Sequence, residues 1–336
     1  MTNKKIMFPS EGQVEVWTEE FESKPTEDEI VIKTQYSIIS SGTELACLAG
    51  LESSWAAFPF NPGYSAVGTV EEKGSGISDF EVGDTVFFYG AHSAYSVINP
   101  DKTLCVKVSD GIRGEHVPFL RIATIAMAAL RISDIELGDF VAVVGQGMVG
   151  NLAAQLASLQ GGEVVAFDLD AQRLEQSRSC GIRHTESFDH KDLTAVVKSI
   201  THGAMFSTFI EATGISKVAE KGLELIGQNG ELVLLGTPRA EHSTDLTPAL
   251  RKVHLRSTNV AIKGAHEWVY PVKEIPFAKH SFVRNTKIAM NLIRDGKLKI
   301  EPLLSHVVKP EGAKEAYEGL RTKTGGYTGV VVDWND

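Results

Sequence analysis

The chain has 336 residues, of which 43% are hydrophobic and 23% are charged, and its formal net charge at pH 7 is −10. This length allows two domains with separate hydrophobic cores, and the acidic balance argues against nucleic acid or anionic membranes as partners because both attract basic surfaces. No apolar run approaches the roughly 20 residues that a membrane-spanning helix needs, and no signal-type segment follows Met1.

Residues 1 to about 115 have the pattern of a compact β-barrel-like domain. Short apolar runs are separated by glycine and proline turns, which is typical of such domains. From about residue 117 the pattern changes, and the apolar run from Phe119 to Ile132 predicts a long helix. The strands predicted before it are Ile30–Ile32, Ala66–Glu71, the run that follows the Val82–Asp84 turn and ends at Phe88, and Tyr95–Ile98.

The stretch from Phe140 to Asp168 carries the most specific signal in the chain. The apolar run from Phe140 to Val144 predicts a strand that is buried on both faces of a parallel sheet. It is followed by Gly145-Gln146-Gly147-Met148-Val149-Gly150, then a helical pattern, then a second apolar strand that ends at Asp168. Strand, glycines, helix, strand and acid in this order predict a dinucleotide-binding unit.

Each part of this unit has a physical reason. Gly145 permits the tight turn, Gly147 lets a pyrophosphate approach the backbone, and Gly150 lets the helix pack closely on the strand. The phosphates lie at the helix N-terminus, where free N–H groups favour negative charge. Asp168 accepts the ribose hydroxyls and repels a 2′-phosphate, which favours NAD over NADP. The further cofactor contacts that we predict are Met148, Val149, Arg173, Thr213, Gly214, Gly236 and Thr237.

Alternating strands and helices after Asp168 predict a six-stranded, doubly wound parallel sheet. Because ligands of such sheets lie beyond the carboxyl ends of the strands, Thr213-Gly214 and Gly236-Thr237 are expected to line the cofactor crevice. The helices predicted here are 171–180, 193–200 and 217–226. The strands are one near residue 182, then 206–212, 231–235 after a turn at 227–230, and 257–262. The C-terminal pattern predicts helices 287–295 and 313–320 and a strand 329–333. We expect this tail to return to the first domain.

Cysteine usage indicates a reducing compartment. Cys47, Cys105 and Cys180 are far apart, and the sequence has no C-x-x-C motif. Neither a disulfide framework nor a cysteine-rich zinc lobe is therefore expected. We expect a cytoplasmic protein.

Taken together, these motifs resemble the medium-chain dehydrogenase/reductase superfamily, which includes alcohol and polyol dehydrogenases. The resemblance covers nearly the whole chain. It implies a GroES-like β-barrel catalytic domain at 1–120, completed by 266–336, and a Rossmann domain at 121–265. It also implies a homodimer or homotetramer acting on a small molecule. The motifs are Ser41-Gly42-Thr43-Glu44 with Gly50, Pro62-Gly63-Tyr64-Ser65 with Gly68, Val82-Gly83-Asp84-Thr85-Val86, Gly138-Asp139 and the glycine loop.

The zinc ligands of that superfamily are replaced here. Ser41 stands where its zinc enzymes have cysteine, Tyr64 where they have histidine, and Arg121 at the later ligand position; Ser65 replaces a glutamate. Because catalytic Zn²⁺ needs about three thiolate, imidazole or carboxylate ligands, we predict a zinc-independent protein with no metal ligands. The sequence is most similar to a branch with relatives of hydroxyethyl-bacteriochlorophyllide dehydrogenase and of bidomain sugar-modifying oxidoreductases.

The predicted catalytic residues are Ser41, Thr43, Tyr64 and Arg121. Arg121 either replaces the metal electrostatically, pairs with Glu44, or points elsewhere. Thr43 passes a proton or holds the turn, and Tyr64 donates a hydrogen bond to the substrate or forms a wall of the pocket.

Two nearby residues are predicted to be structural. His92 is expected to be a surface or core histidine rather than a general base. Cys47 is expected to be a buried apolar residue rather than a ligand. Ala46 occupies the position where some dehydrogenases place a relay histidine, so that proton exit is missing.

A basic cluster follows the last predicted strand of the sheet. It binds an anionic group of the substrate, faces solvent, or contacts a second subunit. Trp268 and Tyr270 beside it suit a sugar-like pocket or an interface. The cluster consists of Lys263, His266, Lys279, His280, Arg284 and Lys287.

The leading hypothesis is a zinc-independent oxidoreductase that moves hydride between NAD(H) and a secondary alcohol or ketone, on a sugar or polyol. One alternative is reduction of activated C=C bonds with NAD(P)H. Another is a non-catalytic NAD-binding protein or sensor.

Overall fold

The computed structural model describes residues 1–51 and 57–335. The chain divides into two compact units. The first comprises Met1–Arg121, Tyr270–Gly296 and Leu303–Asp336, and the second comprises Ile122–Val269 and Lys297–Pro302. In the described part of the chain, no helix is long and apolar enough to cross a membrane.

The first unit is built mainly from strands. The neighbouring strands of its largest sheet are, in order, Leu304–Val308, Gly329–Asp333, Ile30–Ile39, Ala66–Lys73, Thr85–Phe88 and Cys105–Lys107, and Tyr95–Ile98 pairs with Ile30–Ile39. Its first elements are β1 (Thr2–Met7), β2 (Glu15–Glu20), β3 (Ile30–Ile39), α1 (Ser41–Leu48), β4 (Ala66–Lys73), β5 (Thr85–Phe88), β6 (Tyr95–Ile98) and β7 (Cys105–Lys107).

The second unit has the predicted parallel sheet, and the described strands confirm six. Their order is β10-β9-β8-β11-β12-β13, and each neighbouring pair is parallel. This is the doubly wound order in which the strand sequence reverses beside β8. The elements are α2 (Phe119–Ile132), β8 (Phe140–Val144), α3 (Met148–Gln160), β9 (Glu163–Asp168), α4 (Ala171–Ser179), β10 (His184–Ser187), α5 (Leu193–Ile200), β11 (Phe206–Glu211), α6 (Ser216–Gly222), β12 (Ile226–Leu234), α7 (Thr247–His254) and β13 (Ala261–Gly264).

The tail joins the sheet of the first unit. It consists of α8 (Phe282–Arg294), β14 (Leu304–Val308), α9 (Ala313–Thr322) and β15 (Gly329–Asp333). β15 runs antiparallel to β3 and parallel to β14. One short piece belongs with the second unit instead, where Gln155 Oε1 accepts a hydrogen bond from Lys299 N at 2.7 Å.

The predicted turn at Gly227–Gly230 is wrong, because these residues lie inside β12. The predicted helix 217–226 ends correspondingly early, at Gly222. Asn229 has a φ of 62°, and the pairing register shifts between Phe206 and Thr208 on the neighbouring strand. A Cβ at Gly230 would lie 2.7 Å from Ser207 O. The turn-forming residues therefore make an irregularity within a strand, which glycine and asparagine permit.

Two other predicted boundaries are also wrong. The last strand of the sheet begins at Ala261 rather than 257, since Thr258 Oγ1 donates to Lys252 O at 2.7 Å and closes α7. The helix predicted from 287 begins at Phe282, because Ser281 caps it by accepting from Arg284 N at 3.1 Å.

Candidate cofactor and substrate sites

The glycine loop of the second unit has the shape that a pyrophosphate requires. Gly145 has a φ of 92°, in the left-handed region that favours glycine. A Cβ at Gly150 would overlap the carbonyl oxygen of Gly145, so that α3 can sit this close to the loop only without a side chain there. Gly147 is the N-cap of α3, and a Cβ added to it would meet nothing within 4 Å. Open space in front of free helix N–H groups fits an anionic ligand.

Asp168 lies next to this loop, at the end of β9. Its Oδ2 accepts a hydrogen bond from Gln146 N at 2.6 Å, and its Oδ1 accepts one from Asp170 N at 2.9 Å. Arg173, another predicted cofactor residue, has its Nη1 3.8 Å from Asp168 Oδ2. The structure therefore brings a carboxylate and a guanidinium to the place where a dinucleotide ribose is bound in such folds.

The loops after β11 and β12 are tied together at the same edge of the sheet. A Cβ at Gly214 would lie 2.5 Å from Thr237 O, and a Cβ at Gly236 would overlap Gly214 N. The predicted residues Thr213, Gly214, Gly236 and Thr237 thus share one tight junction, while Met148 and Val149 form the first turn of α3.

Sequence reasoning missed Glu211, which organises that junction. Its buried carboxylate accepts hydrogen bonds from Thr213 N at 2.7 Å, from Gly214 N at 3.1 Å and from the Thr213 hydroxyl. Burial raises the pKa of this carboxyl, and the hydrogen bonds oppose the shift. The sequence signal that could have identified it is an acid at the end of an apolar strand, two residues before Thr213-Gly214.

In the first unit, two hydroxyl-bearing residues, Ser40 and Thr43, contact the Tyr64 hydroxyl. The Tyr64 hydroxyl donates a hydrogen bond to Ser40 Oγ, and it also interacts with the Thr43 side chain. Burial raises the pKa of Tyr64, while the charge of Arg121 and the hydrogen bonds with Ser40 and Thr43 oppose that rise. Ser41, the fourth predicted catalytic residue, is the first residue of α1 in the same turn.

Arg121 is buried among aromatic rings. Only 4% of the Arg121 surface is exposed to solvent. The guanidinium carbon lies 4.3 Å from the Tyr89 ring centroid, 5.2 Å from that of Tyr64 and 5.9 Å from that of Phe282. Burial lowers the pKa of Arg121, and the two tyrosines act in the opposite direction. The site therefore holds a positive charge in a low-dielectric environment, with ring faces as partners.

The residues at the superfamily's zinc-ligand positions do not fit zinc. Ser65 donates from Oγ to Pro118 O at 2.6 Å, and Ser41, Tyr64 and Arg121 offer hydroxyls and a guanidinium, which are not the ligands that Zn²⁺ selects. Within residues 1–51 and 57–335, no group of three or more His, Cys, Asp or Glu side chains is placed to hold a metal ion.

Glu44 lies behind the hydroxyl cluster and is fully buried. Its Oε1 accepts from Ser40 N at 2.8 Å, and its Oε2 accepts from His92 Nε2 at 3.0 Å and from the Tyr317 hydroxyl. The sequence left open an ion pair between Arg121 and Glu44. These contacts do not support it, because the Glu44 oxygens bind Ser40, His92 and Tyr317. His92 is a buried core residue that hydrogen-bonds through both ring nitrogens, and Cys47 is buried as well.

The predicted basic cluster is divided between the units. Lys263 lies in the second unit, where its Nζ is 2.5 Å from Asp134 Oδ2 and 2.6 Å from Glu231 Oε2. In the first unit, Arg284 Nη1 lies 3.2 Å from His280 Nδ1, and the His280 ring packs edge-on against Tyr270. Lys263 therefore has its charge offset by two carboxylates. His266 belongs to the second unit, and Lys279 and Lys287 to the first.

Two families match consecutive parts of the chain. Residues 26–129 match the family described as "Alcohol dehydrogenase GroES-like domain", and residues 149–269 match the family described as "Zinc-binding dehydrogenase". The first match contains the motifs from Ser41 to Val86, whereas Gly138-Asp139 and most of the glycine loop lie between the two matched ranges.

Several characterised proteins have similar sequences. D-guloside 3-dehydrogenase of Shigella flexneri is 27% identical over 262 residues, which is 77% of this chain and 73% of that protein. Sorbitol dehydrogenase of Halalkalibacterium halodurans is 24% identical over 316 residues, which is 77% of this chain and 90% of that protein.

Solved structures share the fold over nearly the whole chain. Galactitol-1-phosphate dehydrogenase of Escherichia coli superimposes with a TM-score of 0.83 at 18% identity, covering 98% of this chain and 99% of that one. A protein of Sinorhizobium meliloti, named as a zinc-binding dehydrogenase and bound to NADP, gives a TM-score of 0.82 at 18% identity and covers 99% of both chains. At these identities the likeness concerns the fold.

Proposed function

Because this chain belongs to the medium-chain dehydrogenase/reductase superfamily, among its alcohol and polyol dehydrogenases, we propose that it is an NAD-dependent oxidoreductase that works without zinc. Its substrate is a secondary alcohol or ketone on a sugar or polyol. The observation that carries the proposal is the buried Arg121 guanidinium beside Tyr64, at positions where zinc ligands stand in the superfamily.

The glycine loop and Asp168 support the choice of NAD. When bound, the nicotinamide gives or accepts the hydride. Gly145, Gly147 and Gly150 leave room for the pyrophosphate, and Asp168 offers a carboxylate to the ribose hydroxyls. Arg173 argues for NADP instead, because its guanidinium lies beside that carboxylate and could bind a 2′-phosphate. We assign NAD because Asp168 already lies against the loop through Gln146 N.

Side chains of the first unit take the role that a metal has elsewhere. Loss of the substrate hydroxyl proton to solvent leaves an alkoxide, and the fixed positive charge of Arg121 stabilises its oxygen. As hydride then leaves the carbon, this oxygen becomes that of a neutral carbonyl group. The Tyr64 oxygen and the Thr43 hydroxyl are the partners for the substrate hydroxyl proton, and Ser41 lines the same turn. The D-guloside and sorbitol dehydrogenases among the relatives support a polyhydroxylated substrate.

The proposal includes the predicted organisation of the chain. The catalytic domain comprises 1–120 completed by 266–336, and the cofactor domain comprises 121–265. Superfamily members assemble, so we propose a homodimer or homotetramer in the cytoplasm. Light scattering after gel filtration measures the assembly.

The direct test is turnover. Purified protein is incubated with a panel of sugars, polyols and secondary alcohols and NAD⁺, and with the corresponding ketones and NADH, while the absorbance of reduced nicotinamide is followed. We expect substrate-dependent change with NAD(H). NADH binding without turnover of any panel member contradicts the proposal in favour of a sensor, and turnover of activated C=C bonds with NADPH contradicts it in favour of an alkene reductase.

A further inference from the structure

Ser40 departs from the usual behaviour of a helix N-cap residue. A serine at this position normally uses its hydroxyl to accept a bond from an N–H group of the first helical turn. Ser40 is the N-cap of α1 but makes no such side-chain bond. Its Oγ accepts the Tyr64 hydroxyl instead. A residue that gives up a local stabilising bond is a candidate for a functional role.

Glu44 holds the backbone of Ser40. Glu44 Oε1 accepts from Ser40 N at 2.8 Å, and Glu44 N donates to Ser40 O at 2.9 Å. These two bonds fix the backbone of Ser40 from both sides. They leave its Oγ to the Tyr64 hydroxyl.

The Glu44 carboxylate is itself held rigidly. A buried carboxylate is tolerated when several donors satisfy it, and here His92 Nε2 and the Tyr317 hydroxyl join the Ser40 amide. Tyr317 comes from α9, and its ring packs edge-on against Phe8 with centroids 5.1 Å apart. Glu44, His92 and Tyr317 are each at most 1% exposed.

The proton positions in this array follow from its carboxylate end. An ionised Glu44 can only accept, so a single His92 ring proton lies on Nε2, and Nδ1 accepts from the Ser37 hydroxyl at 2.7 Å. Ser37 Oγ in turn accepts from Trp334 Nε1 at 2.8 Å. The His92 proton then lies on Nε2 and points at Glu44. Each hydrogen bond from Trp334 to Glu44 therefore has one consistent direction.

We propose that Ser40 is a positioning residue for Tyr64, and that the buried array of Trp334, Ser37, His92, Glu44 and Tyr317 holds Ser40 in place. This inference rests on the proposed function, in which the Tyr64 oxygen meets the substrate hydroxyl. Because Tyr64 directs its proton toward Ser40, its oxygen meets the substrate hydroxyl as an acceptor, beside the Thr43 side chain with which it also interacts. The array thus fixes the position of the Tyr64 hydroxyl through Ser40.

An experiment on the whole protein tests the contact without requiring turnover. The seven tyrosines are labelled as 3-fluorotyrosine, and the Tyr64 signal is assigned by its loss in Tyr64→Phe. We expect Ser40→Ala to move this ¹⁹F signal, and Ser40→Gly to move it as well. Ser75→Ala, at an exposed serine, is the matched control and leaves it in place. An unmoved Tyr64 signal in the folded Ser40 variants overturns the proposal.

Kinetics then separate positioning from a structural role. We expect Ser40→Ala to lower kcat roughly tenfold, the effect of one hydrogen bond, with little change in KM and in NADH affinity. Ser40→Thr, which keeps the oxygen, restores kcat. An unchanged kcat in Ser40→Ala overturns the positioning role. If wild type turns over no substrate of the panel while the Tyr64 signal still moves, the function proposed above fails and the Ser40–Tyr64 contact stands.

Discussion

At the scale of single residues, Arg121 is the side chain that we propose in place of a metal. Exposed guanidinium groups are screened by water, whereas a buried one interacts strongly with charge that develops nearby. The rings of Tyr64, Tyr89 and Phe282 surround Arg121 and keep water away from it. Spacing in the sequence predicts which residue stands at the ligand position, but the aromatic surroundings come from segments far apart in the chain.

Replacement of Arg121 is expected to affect the reaction more than cofactor binding. In Arg121→Ala, and in Arg121→Met, which preserves side-chain volume better, kcat falls by roughly 10²- to 10³-fold, as for loss of one group that stabilises an oxyanion. The Kd for NADH, measured by fluorescence titration, changes little. Arg321→Ala removes an exposed arginine paired with Glu318 and serves as the control. Unchanged turnover in both Arg121 variants eliminates the proposed role.

Asp168 is expected to set the cofactor preference. NADH binds the wild-type protein much more tightly than NADPH, because a 2′-phosphate would face the carboxylate. Asp168→Asn removes that charge and narrows the ratio of the two dissociation constants, with roughly tenfold as the expected scale of one charged contact. Titration of both cofactors measures it. Equal affinities in wild type refute the assignment of NAD.

At the scale of elements, the junction of β8 and α3 separates two uses of glycine. Gly150 is required by packing, since any side chain would overlap Gly145 O, whereas Gly147 faces open space with an ordinary φ of −65°. Packing therefore requires Gly150, whereas Gly147 leaves open space for the proposed cofactor. The sequence motif alone does not show which glycine is required by packing, because it does not give the distances from each glycine to its neighbouring atoms.

The two glycines are expected to respond differently to alanine. Gly150→Ala lowers the free energy of unfolding without cofactor by about 1–3 kcal/mol, the range for overpacking. Gly147→Ala leaves that free energy nearly unchanged and weakens NADH binding, because its methyl group occupies the space for the pyrophosphate. Denaturant unfolding and NADH titration of both variants measure this. Loss of stability in Gly147→Ala together with normal NADH affinity contradicts this division of roles.

In strand β12, the turn predicted from the local sequence is wrong. Gly227, Asn229 and Gly230 are turn formers in any local reading, yet they continue a strand because β11 pairs with the residues on either side. The pairing partner lies about 20 residues earlier in the chain. Propensity is a local quantity, and strand pairing overrides it.

At the scale of the whole molecule, Tyr317 and Tyr64 of the first unit link stability to alkaline pH. Burial and the negative charge of Glu44 raise the pKa of Tyr317 well above 10.0, and burial raises that of Tyr64. Each group stays protonated longer in the folded state, so the stability that it contributes is complete below the unfolded pKa of about 10 and is lost as pH rises through the folded value.

We therefore expect the free energy of unfolding to decline as pH rises above about 10. Tyr317→Phe is less stable than wild type at neutral pH by about 1–3 kcal/mol, because Glu44 loses a donor, but its stability declines less steeply at high pH. Tyr95→Phe, at a half-buried ring stacked on Phe21, is the control. Equal alkaline slopes in Tyr317→Phe and wild type contradict the linkage.

Metal content is a property of the whole protein as well. We expect protein purified without added metal to contain no stoichiometric zinc and to keep its activity after chelation, because Ser41, Tyr64 and Arg121 offer no zinc ligand. Elemental analysis alongside an activity assay measures both. One zinc per chain, removed by a chelator with loss of activity, overturns the prediction.

The sequence by itself determined the parallel sheet and the glycine loop with Asp168, and it supplied the prediction that zinc is not bound, because these depend on short-range periodicity and on residue types at fixed spacing. Only the tertiary structure decided that Arg121 lies among aromatic rings, that Glu211 ties the loops after β11, and that Ser40 receives the Tyr64 hydroxyl. Trp334 and Glu44 are joined through Ser37 and His92 although they lie near opposite ends of the chain. Such contacts depend on how strands and helices pack, and no local pattern encodes that packing.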